Sequence, residues 1–200
     1  MKRILCFGDS NTYGYIAGSD HQRFGDDKRW TQLLQKKLGN SYTIIEEGLN
    51  SRTILSNDPR PGREGRSGYD YLLPCLDSHD PLDLIVVMLG TNEVKVRYEK
   101  SAKEIGDMLE NYIIKSIKSR TFHNSSNPQI IIITPVKVNG KLANANFEGK
   151  YDESSEKKSI ELEKYFKKIA QKTNCHYLSA LSLETGIDGV HLTENGHKLL

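Results

Sequence analysis

The chain has 200 residues, 36% of them hydrophobic and 27% charged, with a formal net charge of +2. This is the composition of one soluble globular domain, spanning 1–200, with enough chain to bury a sizeable core. The near balance of charge and the lack of any Lys/Arg block argue against a nucleic-acid partner, and the longest apolar run, 84–89, is far short of the ~20 residues of a membrane span.

Lys2 and Arg3 are followed by only four apolar residues, against roughly 7–15 in a secretory leader. Cys6, Cys75 and Cys175 form no C-x-x-C pair. An odd cysteine count without an export signal points to unbridged thiols in the cytoplasm. Cys6 and Cys75 have apolar neighbours and read as packing residues.

The first strand, 3–7, runs into Gly8-Asp9-Ser10-Asn11. A short helix covers 30–38, with Trp30 as a core anchor, and a second strand, 42–46, leads into Glu47-Gly48-Leu49-Asn50. The Pro/Gly-rich stretch 57–68 reads as a loop; its Arg60, Arg63 and Arg66 are either solvated or read an anion. The third strand, 83–89, contains LIVVML and ends in Gly90-Thr91-Asn92-Glu93. Ile105, Met108, Leu109, Tyr112, Ile113 and Ile117 form one apolar helical face. The fourth strand, 129–134, carries IIII and is followed by Pro135. The polar stretch 139–152 reads as a loop whose Phe147 and Tyr151 either cover a pocket or pin the loop. Leu162, Phe166, Ile169 and Ala170 mark another helix, and a fifth strand covers 175–178. Asp188-Gly189-Val190-His191 follows, with barely two helical turns in 193–200.

Unalternating, β-branched strands separated by helices predict an α/β domain with a five-stranded, mainly parallel sheet. Such sheets bind ligands beyond the carboxyl ends of their strands. Each strand-end residue has an ordinary account alone: Ser10 as a helix cap, Gly48 as a turn glycine, Asn92 as a turn residue, His191 as a surface histidine. Together they are the parts of acyl transfer. A hydroxyl needs a base to become a nucleophile, and histidine, with an ordinary pKa of about 6.5, is suited to the task. An acceptor must hold the imidazole in one tautomer, and Asp188, three residues before His191, can reach back to it. Backbone N–H groups of Ser10 and Gly48 and the Asn92 amide can supply oxyanion donors.

These blocks, FGDSN, EEGLNSRT, MLGTNE and DGVHLTENG, resemble the SGNH/GDSL hydrolases, in order and over nearly the whole chain. KRILCFGDSNTYG, IIEEGLNSRT and LDLIVVMLGTNE most resemble the bacterial arylesterase/acyltransferase branch. The resemblance implies a three-layer α/β/α sandwich, flavodoxin-like, and a serine esterase acting on short acyl esters of aryl, alkyl or sugar alcohols. Some members transfer the acyl group to an alcohol. It implies Ser10 as nucleophile, His191 as general base and then acid, Asp188 as the orienting carboxylate, and an oxyanion hole of Ser10, Gly48 and Asn92. Asp9 is expected to support the turn. A small-molecule ester is the expected partner, with no cofactor or metal. A homo-oligomer is also expected, with 57–68 as a candidate contact. Asn11 stands where the motif has Leu, and Glu93 where Asp usually follows the asparagine, a methylene that could re-aim Asn92. Relatives commonly carry a longer helix after the histidine block, so this chain is read as truncated or completed by another subunit.

The first turn has neither G-x-G-x-x-G nor Gly-Lys-Ser/Thr, which sets a flavodoxin-like nucleotide binder aside. His21, His79, His123, His176, His191 and His197 include no His-x-x-x-His pair for a metal hydrolase, and His197 is expected at the surface. A non-catalytic binding module would not need the full set of groups. The alternative within esterases is a lysophospholipase or thioesterase with a longer acyl groove.

Overall fold

The structure is a computed structural model that describes residues 1–58, 60–122 and 127–200; Pro59, within the 57–68 loop, and His123 lie outside them. Five strands form one sheet: β1 (Lys2–Gly8), β2 (Tyr42–Gly48), β3 (Leu84–Met88), β4 (Gln129–Thr134) and β5 (His176–Ser179). Their order is β2-β1-β3-β4-β5, and every pairing is parallel. The helices are α1 (Ser10–Tyr13), α2 (Trp30–Leu38), α3 (Gly68–His79), α4 (Ala102–Met108), α5 (Lys115–Ser119), α6 (Gly140–Asn146), α7 (Glu153–Lys172) and α8 (Glu194–Leu199).

The side-chain alternation of a strand splits β1 between two cores. Leu5 and Phe7 pack with Leu72 and Leu76 of α3, Ile105 of α4, and Leu162 and Phe166 of α7. Ile4 and Cys6 pack on the other face with Trp30 of α2 and Leu192. Both faces are covered, as the unalternating strands require. The chain leaves β1 for β2 on one side and then takes β3 on the other. The strand order therefore reverses between β1 and β3, and a crevice opens beyond their ends. Among the described residues no helix is long and apolar enough to cross a membrane.

The structure departs from the sequence reading in four places. The helix through 105–117 is interrupted by a π-helical turn, Leu109–Ile114. The wider turn inserts a residue and rotates the face, so Ile113, Ile114 and Ile117 are buried while Tyr112 turns outward. Tyr112 there meets Tyr69 edge-on at 5.2 Å. Helix α3, which the sequence reading lacks, starts at its cap Ser67 and runs through Pro74. The stretch 139–152 is not all loop: Asn139 accepts from the Leu142 N–H and starts α6, which buries Ala143. His197 is not at the surface but buried. Arg29 gives α2 no side-chain cap, and His197 Nδ1 instead accepts from the Trp30 N–H at 3.4 Å. Its ring stands edge-on to Phe24, 5.2 Å away. Burial pushes the His197 pKa down to about 4, with His191 and Arg29 adding repulsion.

Candidate active site

Beyond β1 the chain turns at Asp9, whose carboxylate accepts from the Asn11 N–H at 2.9 Å and caps α1. Asp9 is fully buried, and burial pushes its pKa up against that hydrogen bond. Because Asp9 is the cap, Ser10 is the first helical residue, and its hydroxyl is free for another partner. That partner is His191: Oγ and Nε2 lie 2.8 Å apart. His191 Nδ1 lies 2.7 Å from Asp188 Oδ2. The other Asp188 oxygen accepts from the Val190 and His191 N–H groups, both at 3.0 Å, so the carboxylate is fixed at both ends. Burial opposes the Asp188 charge, but His191 and the two backbone donors outweigh it and hold its pKa below the usual range. An ionised acceptor on Nδ1 leaves Nε2 as the nitrogen that can take the serine proton.

Asn11 joins these two ends of the chain. Its amide donates to the Val190 carbonyl at 3.2 Å and its oxygen accepts from the Leu192 N–H at 2.9 Å. The departure from Leu at this position is thus a two-point clamp on the histidine loop. Tyr15 covers the imidazole face, with ring centroids 4.5 Å apart.

Beyond β3, Gly90 turns the chain at φ +119°, a conformation open to glycine. Asn92 Nδ2 then donates to the Arg52 carbonyl at 2.8 Å, and Asn92 Oδ1 accepts from Lys95 Nζ at 2.6 Å. The carbonyl engages one of the two amide hydrogens, and the other is left for the cavity that Asn92 lines. The buried carboxyl of Glu93 accepts from the Ile54 N–H and ties the β3 loop to the β2 loop beside the Asn92–Arg52 bond. Burial pushes the Glu93 pKa up to about 7. Lys95, which the sequence reading passed over, is only 6% exposed, and burial pushes its pKa down to about 7, with Arg97 and Arg60 adding to the shift. Its signal, a lysine three residues after the asparagine, is faint because lysines are ordinarily solvated.

Ser10, Asn92 and His191 line one cavity of about 260 Å³, with Tyr15, Lys95, Phe147 and Tyr151 in its wall. Arg60, Arg63 and Lys150 line it as well. Asp188 stands behind His191. Asp9 and Gly48 are not among the lining residues. Gly48 pairs in register with Gly8 at the end of β2. A Cβ there would stand 2.1 Å from the Tyr13 nitrogen, so glycine is required for α1 to pack on the strand. Elsewhere among the described residues, Glu47, Cys75 and His79 bring ligand atoms within 4.8 Å of one another. His79 already bonds Glu47 at 3.0 Å, and the Arg52 guanidinium, 3.8 Å from Glu47, opposes a cation there.

The arrangement is a hydroxyl, an imidazole and an amide around a small cavity, with a carboxylate behind the imidazole. Residues 4–200 match the family described as GDSL-like lipase/acylhydrolase. The chain belongs to that family. This GDSL hydrolase is therefore a carboxylic ester hydrolase. Its structure superimposes on that of an aryl esterase from M. smegmatis at a TM-score of 0.87 and 32% identity, covering 99% of this chain and 94% of that one. Est24, a carbohydrate acetylesterase from Sinorhizobium meliloti, is similar at a TM-score of 0.84 and 31% identity, over 100% of this chain and 96% of that one. A lipase/acylhydrolase from Enterococcus faecalis, 16% identical over 100% of this chain and 91% of that one, shares the fold at a TM-score of 0.67. No curated protein sequence matches the chain.

Proposed function

We propose that the GDSL hydrolase cleaves short-chain, acetyl-type esters of aryl, alkyl or sugar alcohols through an acyl-enzyme on Ser10. Ser10 Oγ attacks the ester carbonyl while His191 Nε2 takes its proton. Asp188 stabilises the resulting imidazolium, and the Asn92 amide donates to the developing oxyanion together with backbone N–H groups at Ser10 and Gly48. Collapse expels the alcohol, which takes the proton from His191. Water then repeats the cycle, freeing the carboxylic acid and restoring the serine proton. An alcohol in place of that water gives acyl transfer.

The observation that carries this reading is the chain Ser10–His191–Asp188, at 2.8 and 2.7 Å, opening on the cavity that Asn92 lines. The cavity, about 260 Å³, lies at or below the lower end of the roughly 300–1,000 Å³ of small-molecule sites. That size favours a short acyl group over a long acyl groove. The aryl esterase and carbohydrate acetylesterase among its structural neighbours support the same substrate class. The test is hydrolysis of p-nitrophenyl acetate, butyrate and decanoate by wild type and Ser10→Ala. Acetate cleaved best, with the folded variant inactive, is the expected result. Equal activity in Ser10→Ala refutes the acyl-enzyme, and a preference for decanoate refutes the short-acyl assignment.

A further inference from the structure

The walls of the cavity are electrostatically one-sided. Three side chains that stay cationic, Arg60, Arg63 and Lys150, line it together with Lys95, and among the described residues no carboxylate does. The whole chain carries a formal charge of only +2, so this concentration is local. Compensation is thin. Asp58, with a side chain fully shielded from solvent, grips Arg60 (Nε to Oδ1, 2.9 Å) but also takes Arg97 at 3.2 Å, so one carboxylate serves two guanidiniums. Lys95 bonds a neutral amide, Asn92 Oδ1. Lys150 has an acid 3.9 Å away, Glu148, whose side chain is 90% exposed and whose charge water largely screens. Arg63 makes no ion pair among the described residues; its backbone closes a turn onto the Arg60 carbonyl at 3.1 Å. Arg63 thus lines the cavity with no side-chain hydrogen bond or ion pair among the described residues.

A neutral acetyl ester uses none of this charge, whereas a cleft walled by one sign of charge concentrates ligands of the other. Guanidinium forks bind carboxylate and phosphate oxygens in pairs. We propose that the substrate of this esterase carries an oxyanion, a carboxylate or phosphate, which Arg63 binds with support from Arg60 and Lys150 while Ser10 attacks the ester. This inference rests on the serine-esterase reading above and adds the charge of the substrate.

The test compares kcat/KM within two matched pairs. One pair is 4-acetoxybenzoate and its methyl ester, with the anion on the alcohol portion. The other is mono-4-nitrophenyl succinate and its methyl ester, with the anion on the acyl portion. We expect the anionic member of at least one pair to be preferred by about tenfold or more. Raising the salt from about 20 to about 500 mM should shrink that preference, and Arg63→Glu should abolish or invert it. The pair that responds tells which side of the ester carries the anion. If both neutral members are cleaved as well as their anionic partners, or if Arg63→Glu leaves the ratio unchanged, the inference is overturned. If Ser10→Ala abolishes cleavage of the neutral esters in that same experiment, the esterase reading stands without it. If neither member of either pair is cleaved, both fall.

Discussion

Replacing Lys95 by methionine removes a buried ammonium and leaves an apolar stem of similar reach. The lysine touches Asn92 Oδ1 at 2.6 Å, and the Arg52 carbonyl holds Asn92 Nδ2 at 2.8 Å from the other side. A hydrogen bond to a charged group contributes about 1.5–3 kcal/mol. If all of it serves to aim the amide, its loss slows turnover by about 10- to 150-fold. The Arg52 carbonyl still disfavours a flipped amide, so the loss should stay below the about 10²–10³ expected for Asn92→Ala, which removes the donor itself. The effect carries a pH signature. Burial sets the Lys95 pKa at about 7, so the lysine is charged below that value and a neutral, weaker donor above it. A neutral hydrogen bond contributes about 0.5–1.5 kcal/mol, which shrinks the penalty to about 2- to 13-fold by pH 8. The assay is kcat on p-nitrophenyl acetate at pH 6 and 8 for wild type, each single variant and the double variant. Lys95 acting through Asn92 predicts that Lys95→Met adds little once Asn92 is alanine. A full, additive loss in the Asn92→Ala background would refute this reasoning, as would a penalty that grows with pH.

Asn11→Leu leaves the Val190 carbonyl and the Leu192 N–H without their partner; it should cost about 2–4 kcal/mol of stability and lower kcat, and a urea midpoint equal to wild type would show that the clamp carries no energy. Gly48→Ala should force α1 off β2, destabilise the fold by at least about 1–3 kcal/mol and reduce activity; a variant that melts with wild type would mean α1 shifts freely. His197 is neutral in the folded chain, with its pKa lowered from 6.5 to about 4, so the unfolded chain binds the extra proton between those values and stability falls as pH drops through that window, by up to about 3 kcal/mol. His197→Asn, which can still accept from Trp30, should flatten that slope in urea titrations at pH 7, 6 and 5; an unchanged slope would place the acid sensitivity elsewhere.

The sheet was legible because both of its faces are covered, which leaves runs such as LIVVML with no polar break. That Ser10, Asn92 and His191 would meet at one cavity was legible because each lies beyond a strand at the carboxyl edge of that sheet. What escaped shares a different character. Lys95 and His197 are polar side chains whose burial depends on partners far along the chain, and nothing in the local pattern distinguishes them from solvated ones. The π-turn over Leu109–Ile114 changes the helical period within a continuous apolar run, which a fixed 3.6-residue template cannot register. Helix α3 contains Pro74, a residue that ordinarily argues against a helix interior.

The Ser10–His191 bond spans 181 positions, and the Asn11–Leu192 bond spans as many. During synthesis the ribosome delivers Ser10 just after the first strand and His191, its proposed base, 181 residues later. A nascent chain can assemble β1 to β4 while Ser10 still has no histidine to activate it. If Ser10 is the nucleophile and His191 its base, as proposed, esterase activity reports on docking of the 188–192 segment rather than on formation of the sheet. On the same proposal, a chain without that segment would leave Ser10 with no base to take its proton.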